Sequence, residues 1–330
     1  MARVVRFHKT GGPEVLQIDE IDVGAPGAGE LRLRVHALGL NRAESMFRSG
    51  TYLETPVLPA RLGYEAAGTV EAIGEGVTGF AIGDKVSVIP SFSMTHYGMY
   101  GDRVIVPAAA AAKHPATLSW EHAAASWMQY MTAYGALVEV VRVAPGDAVI
   151  ITAASSSVGL AAIQIVNAAG AVSIATTRTS TKRNALLRLG AQHVIATEEQ
   201  DLVAEAKRIT DGKGARIVFD AVAGKGVETL AQAVAYCGTI ILYGALAMSE
   251  TPFPLFAAIG NGLTVRGYSL FEVVTNPERM AAGKKYILDG LQSGKLKPEI
   301  AKVFPFEKIV EAHRYLESNE QIGKVVVTVD

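Results

Sequence analysis

A chain of 330 residues, 49% hydrophobic and 19% charged with a mean hydropathy of +0.24, has enough material for two packed cores. Its 31 basic and 32 acidic side chains leave a net charge of −1, and no basic stripe of the kind that binds nucleic acid stands out. One cysteine, Cys237, excludes an intramolecular disulfide and a multi-cysteine metal cage; no apolar run nears the length of a membrane span, and MARVVRFHKTGGPEVLQ lacks the pattern of a signal peptide, so a cytoplasmic protein without a membrane partner is expected.

Residues 1 to about 125 predict mostly strand. RVVRF, LRLRVHAL, AAGTVEAIG and DKVSVIP are short alternating segments parted by turns such as GAPGAGE and GEGVTGFAIGD. Uneven strands without an internal repeat suggest a partly open β-barrel. The run PAAAAAKHP (107–115) reads as an exposed connection. From Trp120 the pattern turns helical, through EHAAASWMQYMTAYGALVEV, and APGD (144–147) makes a turn.

The next 120 or so residues alternate in the βαβ manner. The strands are AVIITA, AVSIATT, QHVIA, ARIVFDAV, GTIILYGA and LTVRGYS; LAAIQIVNAA, KRNALLRL, VAEAKRIT, GVETLAQAVA and LFAAIGN lie between them as helices. Six apolar strands with five helices predict a doubly wound parallel sheet of the dinucleotide-binding kind. Beyond residue 270 the rhythm stops. PERMAAGKKYILDGLQSG predicts an amphipathic helix ended by Gly294, FPFEKIVEAHRYLES (304–318) another helix, and GKVVVTV a last strand. This tail is expected to return to the first domain. The division is then 1–124 plus 269–330 for one domain and 125–268 for the other.

The most informative stretch is VIITAASSSVGLAAIQIV, 149–166, where a β-branched strand meets a run of tiny residues and then a helix start. Backbone N–H groups at a helix N-terminus attract an anion, and small side chains let a pyrophosphate approach. In the fingerprint G-x-G-x-x-G the glycine positions fall at Ala154, Ser156 and Gly159, so only the third is kept; Ser155, Ser157 and Val158 complete the turn. About twenty residues on, an NAD site usually carries an acid for the ribose 2′-hydroxyl. Here ATTRTSTKR (175–183) has none, and Thr177 is followed by Arg178, Lys182 and Arg183. Cations there suit a 2′-phosphate, so NADPH is expected rather than NADH.

Taken together, GGPEVLQI (11–18), GLNRAESMFRSGTY (39–52), LGYEAAGTVEAIGEGV (62–77), GDKV (83–86), TAASSSVGLAAIQI (152–165), LGAQHVI (189–195), FDAVAG (219–224) and GKVVV (323–327) resemble the medium-chain dehydrogenase/reductase superfamily, in its zinc-independent quinone oxidoreductase branch. The resemblance spans essentially the whole chain. It implies a Rossmann doubly wound sheet inserted into a GroES-like, partly open β-barrel domain, a cofactor cleft between them, and a homodimer. Pairing of LTVRGYS across a two-fold would cover the exposed edge of the Rossmann sheet.

Zinc-dependent members of this superfamily hold catalytic zinc with Cys, His and Cys. The matching positions carry Asn41, Tyr64 and Met128, an amide, a phenol and a thioether that cannot replace thiolate and imidazole, so no metal is expected. Without a Lewis acid the easier reaction is hydride delivery to an activated π-system, a quinone or an α,β-unsaturated carbonyl. By resemblance Asn41 lines the cleft as an amide donor. Tyr52 stands eleven positions after it, where related enoyl-thioester reductases place a proton-donating tyrosine; it either serves as that acid or packs under a loop. Tyr64 and Met128 line the substrate pocket or fill the space of the absent metal, and Glu65 is structural or holds a nearby cation. Tyr243 and Gly244 are expected near the nicotinamide, and Lys324 on a cofactor phosphate unless it is a surface lysine. An NADPH-dependent quinone or enone reductase is the first reading. An enoyl-thioester (CoA or carrier-protein) reductase using Arg42, Arg48 and Arg61 is the second, and a weakly catalytic NADPH-binding protein the third.

Overall fold

The computed structural model describes all 330 residues, which divide into unit 1 (Met1–Met128 and Pro298–Asp330) and unit 2 (Gln129–Lys297). Unit 1 begins with β1 (Ala2–Phe7), β2 (Leu16–Ile21), β3 (Glu30–Gly39), α1 (Arg42–Ser49), β4 (Ala60–Arg61), β5 (Glu65–Ile73), β6 (Lys85–Val88), β7 (Arg103–Pro107), β8 (Ala111–Lys113) and α2 (Trp120–Ala124). After α3 (Trp127–Tyr134), unit 2 alternates: β9 (Ala148–Ile151), α4 (Ser157–Ala168), β10 (Val172–Thr177), α5 (Arg183–Arg188), β11 (His193–Ala196), α6 (Leu202–Ile209), β12 (Ala215–Asp220), α7 (Gly226–Ala233), β13 (Val234–Leu242), α8 (Leu255–Asn261) and β14 (Thr264–Gly267). α9 (Phe271–Val274) and α10 (Pro277–Ser293) close unit 2, and β15 (Ile300–Pro305), α11 (Ile309–Ser318) and β16 (Lys324–Thr328) complete unit 1.

In unit 1 the strands β15-β16-β3-β5-β6-β8 are neighbours in that order, with β7 also paired to β3, while β2-β1-β4 form a smaller sheet. The alternation in LRLRVHAL is that of a strand with one face in the core, and Leu31, Leu33, Val35 and Ala37 are buried. Register then gathers distant residues at one end of β3. Gly39 pairs with Glu65 on one side and Val326 on the other, and the next turn begins α1 at Asn41. A Cβ at Gly39 would stand 2.1 Å from the Ala124 carbonyl oxygen, so only glycine lets α2 pack there.

Unit 2 is a six-stranded parallel sheet ordered β11-β10-β9-β12-β13-β14, the doubly wound Rossmann arrangement. Its strands read as continuous apolar runs because both faces are covered. Ile150, Ile174, Val218 and Ile240 form a core with Leu202, Leu230 and Ala231 of the helices. The strand order reverses between β9 and β12, whose carboxyl ends flank the switch point. β14 is an edge strand. No helix is long and apolar enough to cross a membrane.

Four sequence expectations are corrected. The exposed connection expected over 107–115 instead forms β8 against β6, with Ala110, Ala111, Ala112 and His114 buried. The helix expected over 121–140 breaks at Ala125–Ser126, because a Glu65 carboxylate oxygen accepts from the Trp127 and Met128 amides (2.8 and 2.9 Å) and starts a new helix there. The helix expected over 304–318 begins only at Ile309, since Phe304 and Pro305 end β15 beside β16. Finally, α10 belongs to unit 2 rather than to the N-terminal domain. Gly283 of α10 packs so closely on Met131 and Tyr134 that a Cβ would meet the Met131 sulfur at 2.5 Å, and Arg279 is paired with Glu139.

Candidate active site

The turn after β9 is shaped by backbone. Ala153 takes φ +46°, which swings the chain toward α4, and Ala154 is fully buried with its N–H donating to the Thr176 carbonyl at 3.2 Å. Ser156 caps α4, its hydroxyl accepting from the Gly159 amide at 3.1 Å. A Cβ at Gly159 would meet Ala154 Cα and O at 2.6 Å, so the helix can sit this close to the turn only with glycine there. Of the fingerprint positions, Ala154 and Gly159 thus set the packing, while Ser155, Ser157 and Val158 are half-buried around the helix start. The first amides of a helix have no partner within it and point where an anion would bind.

Cations gather beside this turn. Lys182 donates to the Ser155 hydroxyl at 3.1 Å, and Arg178 is exposed immediately beyond half-buried Thr177 at the end of β10. Arg183 instead turns to the Gln200 side chain. These residues fit a phosphorylated dinucleotide: amides for the pyrophosphate, Arg178 and Lys182 for a 2′-phosphate, and no acid on the β10 end itself, the nearby Glu199 carboxylate accepting from the Ser180 amide and hydroxyl at 2.8 and 3.2 Å.

Sequence reasoning passed over Asp220, at the switch point. It is fully buried and accepts from the Thr152 hydroxyl at 2.5 Å and from the Val222 and Ala223 amides at 2.9 Å each. The aspartate thereby ties the end of β9 to that of β12. Its signal was an apolar strand, ARIVFD, closing on an acid. Tyr243 stacks on Phe219 with centroids 3.9 Å apart, and burial, then the Asp220 charge, push its phenol well above the usual range. Gly244 lies against Ala221, where a Cβ would meet the carbonyl oxygen at 2.7 Å.

In unit 1 Asn41, one of the positions matched to a metal site, belongs to a closed side-chain network that also receives the backbone amides of the other two, Tyr64 and Met128. Asn41 caps α1 in a box with Glu44: the Asn41 N–H donates to one Glu44 oxygen at 2.6 Å and its side-chain amide to the other at 3.1 Å. The same amide donates to Glu65 at 3.1 Å, and its oxygen accepts from the Lys324 ammonium at 2.6 Å. Lys324 is also paired with Glu65, and both side chains are fully buried. The Tyr64 amide donates to Glu44 at 3.0 Å. Burial, reinforced by the Glu65 charge, pushes the Glu44 carboxyl up to about 7 against the Asn41, Lys324 and Tyr64 contacts that favour its ionised form.

This geometry reassigns two expected residues. Lys324 is neither a surface lysine nor a phosphate contact, because its ammonium neutralises Glu65 in the interior. Asn41 has both amide hydrogens and its oxygen committed inside the protein, which removes it as a donor to substrate. Glu65 does hold a cation, and that cation is Lys324. Glu44 was missed, although the N-x-x-E spacing of a capping box was readable. The donor set does not fit zinc: the one oxygen Asn41 could offer faces an ammonium, and no three His, Cys, Asp or Glu side chains are grouped to hold a metal ion.

Tyr52 is half-buried and meets fully buried Tyr64 edge-on, with ring centroids 6.4 Å apart; Tyr64 in turn packs on Phe92 at 5.8 Å. Burial raises the Tyr52 phenol above its ordinary value, a hydrogen bond from Tyr64 opposes this, and Glu44 and Glu54 add to the rise. The arginines considered for a CoA arm are engaged elsewhere. Arg48 is buried against His313 (2.9 Å) and Glu317 (2.8 Å), Arg42 donates to the Leu316 carbonyl at 2.9 Å, and Arg61 to the His96 carbonyl at 3.1 Å.

Residues 27–153 match the alcohol dehydrogenase GroES-like domain family and residues 157–283 the zinc-binding dehydrogenase family. Quinone oxidoreductase 1 of Escherichia coli is 34% identical over 98% of both chains, and 2-haloacrylate reductase of a Burkholderia species is 30% identical over 99% of this chain and 98% of its own. The solved structure of Escherichia coli quinone oxidoreductase complexed with NADPH superposes with a TM-score of 0.91 at 32% identity, covering 99% of this chain and 100% of that one. With a GroES-like sequence ahead of a doubly wound dinucleotide sheet and relatives matched end to end, the chain belongs to the quinone oxidoreductase branch of the medium-chain dehydrogenase/reductase superfamily.

Proposed function

We propose that the chain is an NADPH-dependent reductase that reduces a quinone or an α,β-unsaturated carbonyl compound without zinc. The observation that carries this reading is the closed Asn41–Glu44–Glu65–Lys324 network. It commits the Asn41 side chain, one of the three positions matched to a metal site, to an internal ion pair, and the other two carry a phenol and a thioether, a set that does not suit a Lewis-acid zinc for activating an alcohol or a simple ketone. Two relatives support the acceptor class, since a quinone and a 2-haloacrylate are both π-systems conjugated to a carbonyl group.

NADPH, when bound, supplies the hydride. The chain's own part is to hold the pyrophosphate on the amides opening α4, to hold the 2′-phosphate with Arg178 and Lys182, and to deliver a proton. Tyr52 serves as the acid: its raised phenol stays protonated at neutral pH and is partly exposed, so it can protonate the reduced acceptor. Asn41 positions α1 instead of contacting substrate. Because Arg48, Arg42 and Arg61 are bonded to other parts of unit 1, the enoyl-thioester reading loses the cations suggested for it. The active form is a homodimer joined along β14. That strand is a sheet edge, and Phe253, Leu255, Phe256 and Ile259 in and before α8 are exposed apolar side chains of the same unit.

The test is NADPH consumption with 1,4-benzoquinone, 9,10-phenanthrenequinone, an alkenal and crotonyl-CoA, run in parallel with NADH. Turnover of a quinone or the alkenal is expected, with kcat/KM for NADPH at least about tenfold above that for NADH and a preference reduced in Arg178→Ala, as loss of a charge-assisted contact implies. Equal values for the two cofactors refute the cofactor assignment. Turnover of crotonyl-CoA alone establishes the thioester reading, and tight NADPH binding without turnover establishes a binding protein.

A further inference from the structure

β10 and β11 stay joined beyond their last ladder residues. Thr177 pairs with Ala196, the Thr197 amide then donates to the Thr177 carbonyl at 2.8 Å, and the Glu198 amide to the Arg178 carbonyl at 2.9 Å. One step further, a single oxygen of the Glu199 carboxylate accepts from both the amide and the hydroxyl of Ser180, at 2.8 and 3.2 Å. Arg183 ends the series on the Gln200 side chain, which also accepts from the Ala196 amide at 3.0 Å. The segment 177–183, which carries Arg178 and Lys182, is thus laced to 197–200 along its length.

Ser180 opens a single 3-10 turn, Ser180–Lys182, that runs into α5. Thr179, at its cap position, makes no side-chain cap bond; its hydroxyl donates to that of Thr181 at 3.1 Å. Glu199 supplies the missing acceptor from the neighbouring loop. At the other end of the turn the Lys182 ammonium meets the Ser155 hydroxyl at 3.1 Å. Glu199 is exposed, and a carboxylate bonded to the residue midway between Arg178 and Lys182 opposes a bound phosphate by charge. The Ser180 amide, then its hydroxyl, hold the Glu199 carboxyl below its usual range, so that charge persists at neutral pH. What the acid contributes to binding is therefore shape.

We propose that Glu199 is a specificity-determining positioning residue for the cofactor: by capping the Ser180–Lys182 turn from the adjacent loop it sets where Arg178 and Lys182 stand, and so favours a 2′-phosphorylated dinucleotide over an unphosphorylated one. This rests on Arg178 and Lys182 holding the 2′-phosphate. Both have long side chains whose ordering costs binding energy, and a turn fixed in advance lowers that cost. NADH has no 2′-phosphate for these cations to meet, so its affinity does not depend on how well the turn is held. The effect of Glu199 falls on the ratio of the two affinities.

Glu199→Ala removes both the bonds and the charge; Glu199→Gln keeps an oxygen that accepts from Ser180 and loses only the charge. The dissociation constants of NADPH and NADH are measured by titration calorimetry, with urea unfolding as a check on the fold. In Glu199→Ala the NADPH constant is expected to rise about 3- to 10-fold, the range set by the net worth of a hydrogen bond, while the NADH constant and the urea midpoint hold. Glu199→Gln should return NADPH binding to the parent value or tighter. Tighter NADPH binding in both variants makes the carboxylate a purely repulsive charge and overturns the proposal, as does an equal loss of NADPH and NADH in Glu199→Ala, or no change in either. Arg178→Ala separates the role of Glu199 from the phosphate site beneath it. If Arg178→Ala lowers the NADPH preference while Glu199→Ala does not, the phosphate site stands and the role of Glu199 fails. If Arg178→Ala leaves the preference unaltered, the phosphate site itself falls.

Discussion

Replacing Lys324 by methionine isolates the buried network, because the new side chain fills similar space without the charge. Removing one member of a buried ion pair costs about 3–5 kcal/mol. Glu65 would keep the Trp127, Met128 and Asn41 donors at 2.8, 2.9 and 3.1 Å, which places its share near the lower end. The Asn41 oxygen loses its ammonium donor, now at 2.6 Å, and an orphaned buried acceptor adds about 1–3 kcal/mol. The sum is about 4 kcal/mol, or a fall of roughly 8–16 °C in the unfolding midpoint of unit 1. Circular dichroism melts and urea titrations at neutral pH measure it, and NADPH affinity at low temperature should be unaltered. Adding Glu65→Gln should cost less than the sum of the two single changes, because the second removes the stranded charge. A midpoint within about 2 °C of the parent, joined to a loss of NADPH affinity, would refute the reasoning and return Lys324 to the cofactor phosphate.

Two further outcomes are expected. His313 is fully buried and its Nδ1 accepts from Arg48, so the ring is neutral; burial, and then the Arg48 charge against the opposing Glu317 contact, lowers its folded pKa below the unfolded 6.5. The unfolded chain then binds the extra proton, and stability falls as pH drops below about 6.5, by at most about 1.4 kcal/mol per pH unit from this group. His313→Gln, which keeps an acceptor, should flatten urea-derived stability between about pH 6.5 and 5, and an unaltered slope would refute the assignment. Sedimentation should show a dimer that Phe256→Glu with Ile259→Glu converts to monomers; a parent already monomeric at micromolar concentration disproves the β14 interface.

The doubly wound sheet was legible because its strands and helices carry their own periodicity. The small-residue turn was legible despite two missing glycines, since Ala and Ser still permit a tight backbone. Local pattern could not show that Glu65 would cut the helix after Ala124, because Glu65 lies 62 residues before Trp127 in the chain. Nor could it show that Lys324 would meet Asn41 and Glu65, because that depends on the register of β16 and β5 against β3, strands far apart in sequence. Asn41 illustrates the limit: its residue type suits a substrate donor, and only the full set of its partners reveals that it has nothing left to donate.

The position of β16 bears on the order in which the protein is made. β3 lies between β5 and a strand encoded in the last residues, and the cation that offsets Glu65 arrives on that strand. During synthesis the first 128 residues leave the ribosome with the Ala37–Gly39 end of β3 lacking the strand that will pair with it and a carboxylate destined for the interior still uncompensated. Unit 2 is continuous in sequence and can close while translation proceeds. The N-terminal unit, begun first, is finished last, and a nascent chain truncated before Lys324 should remain a client for chaperones.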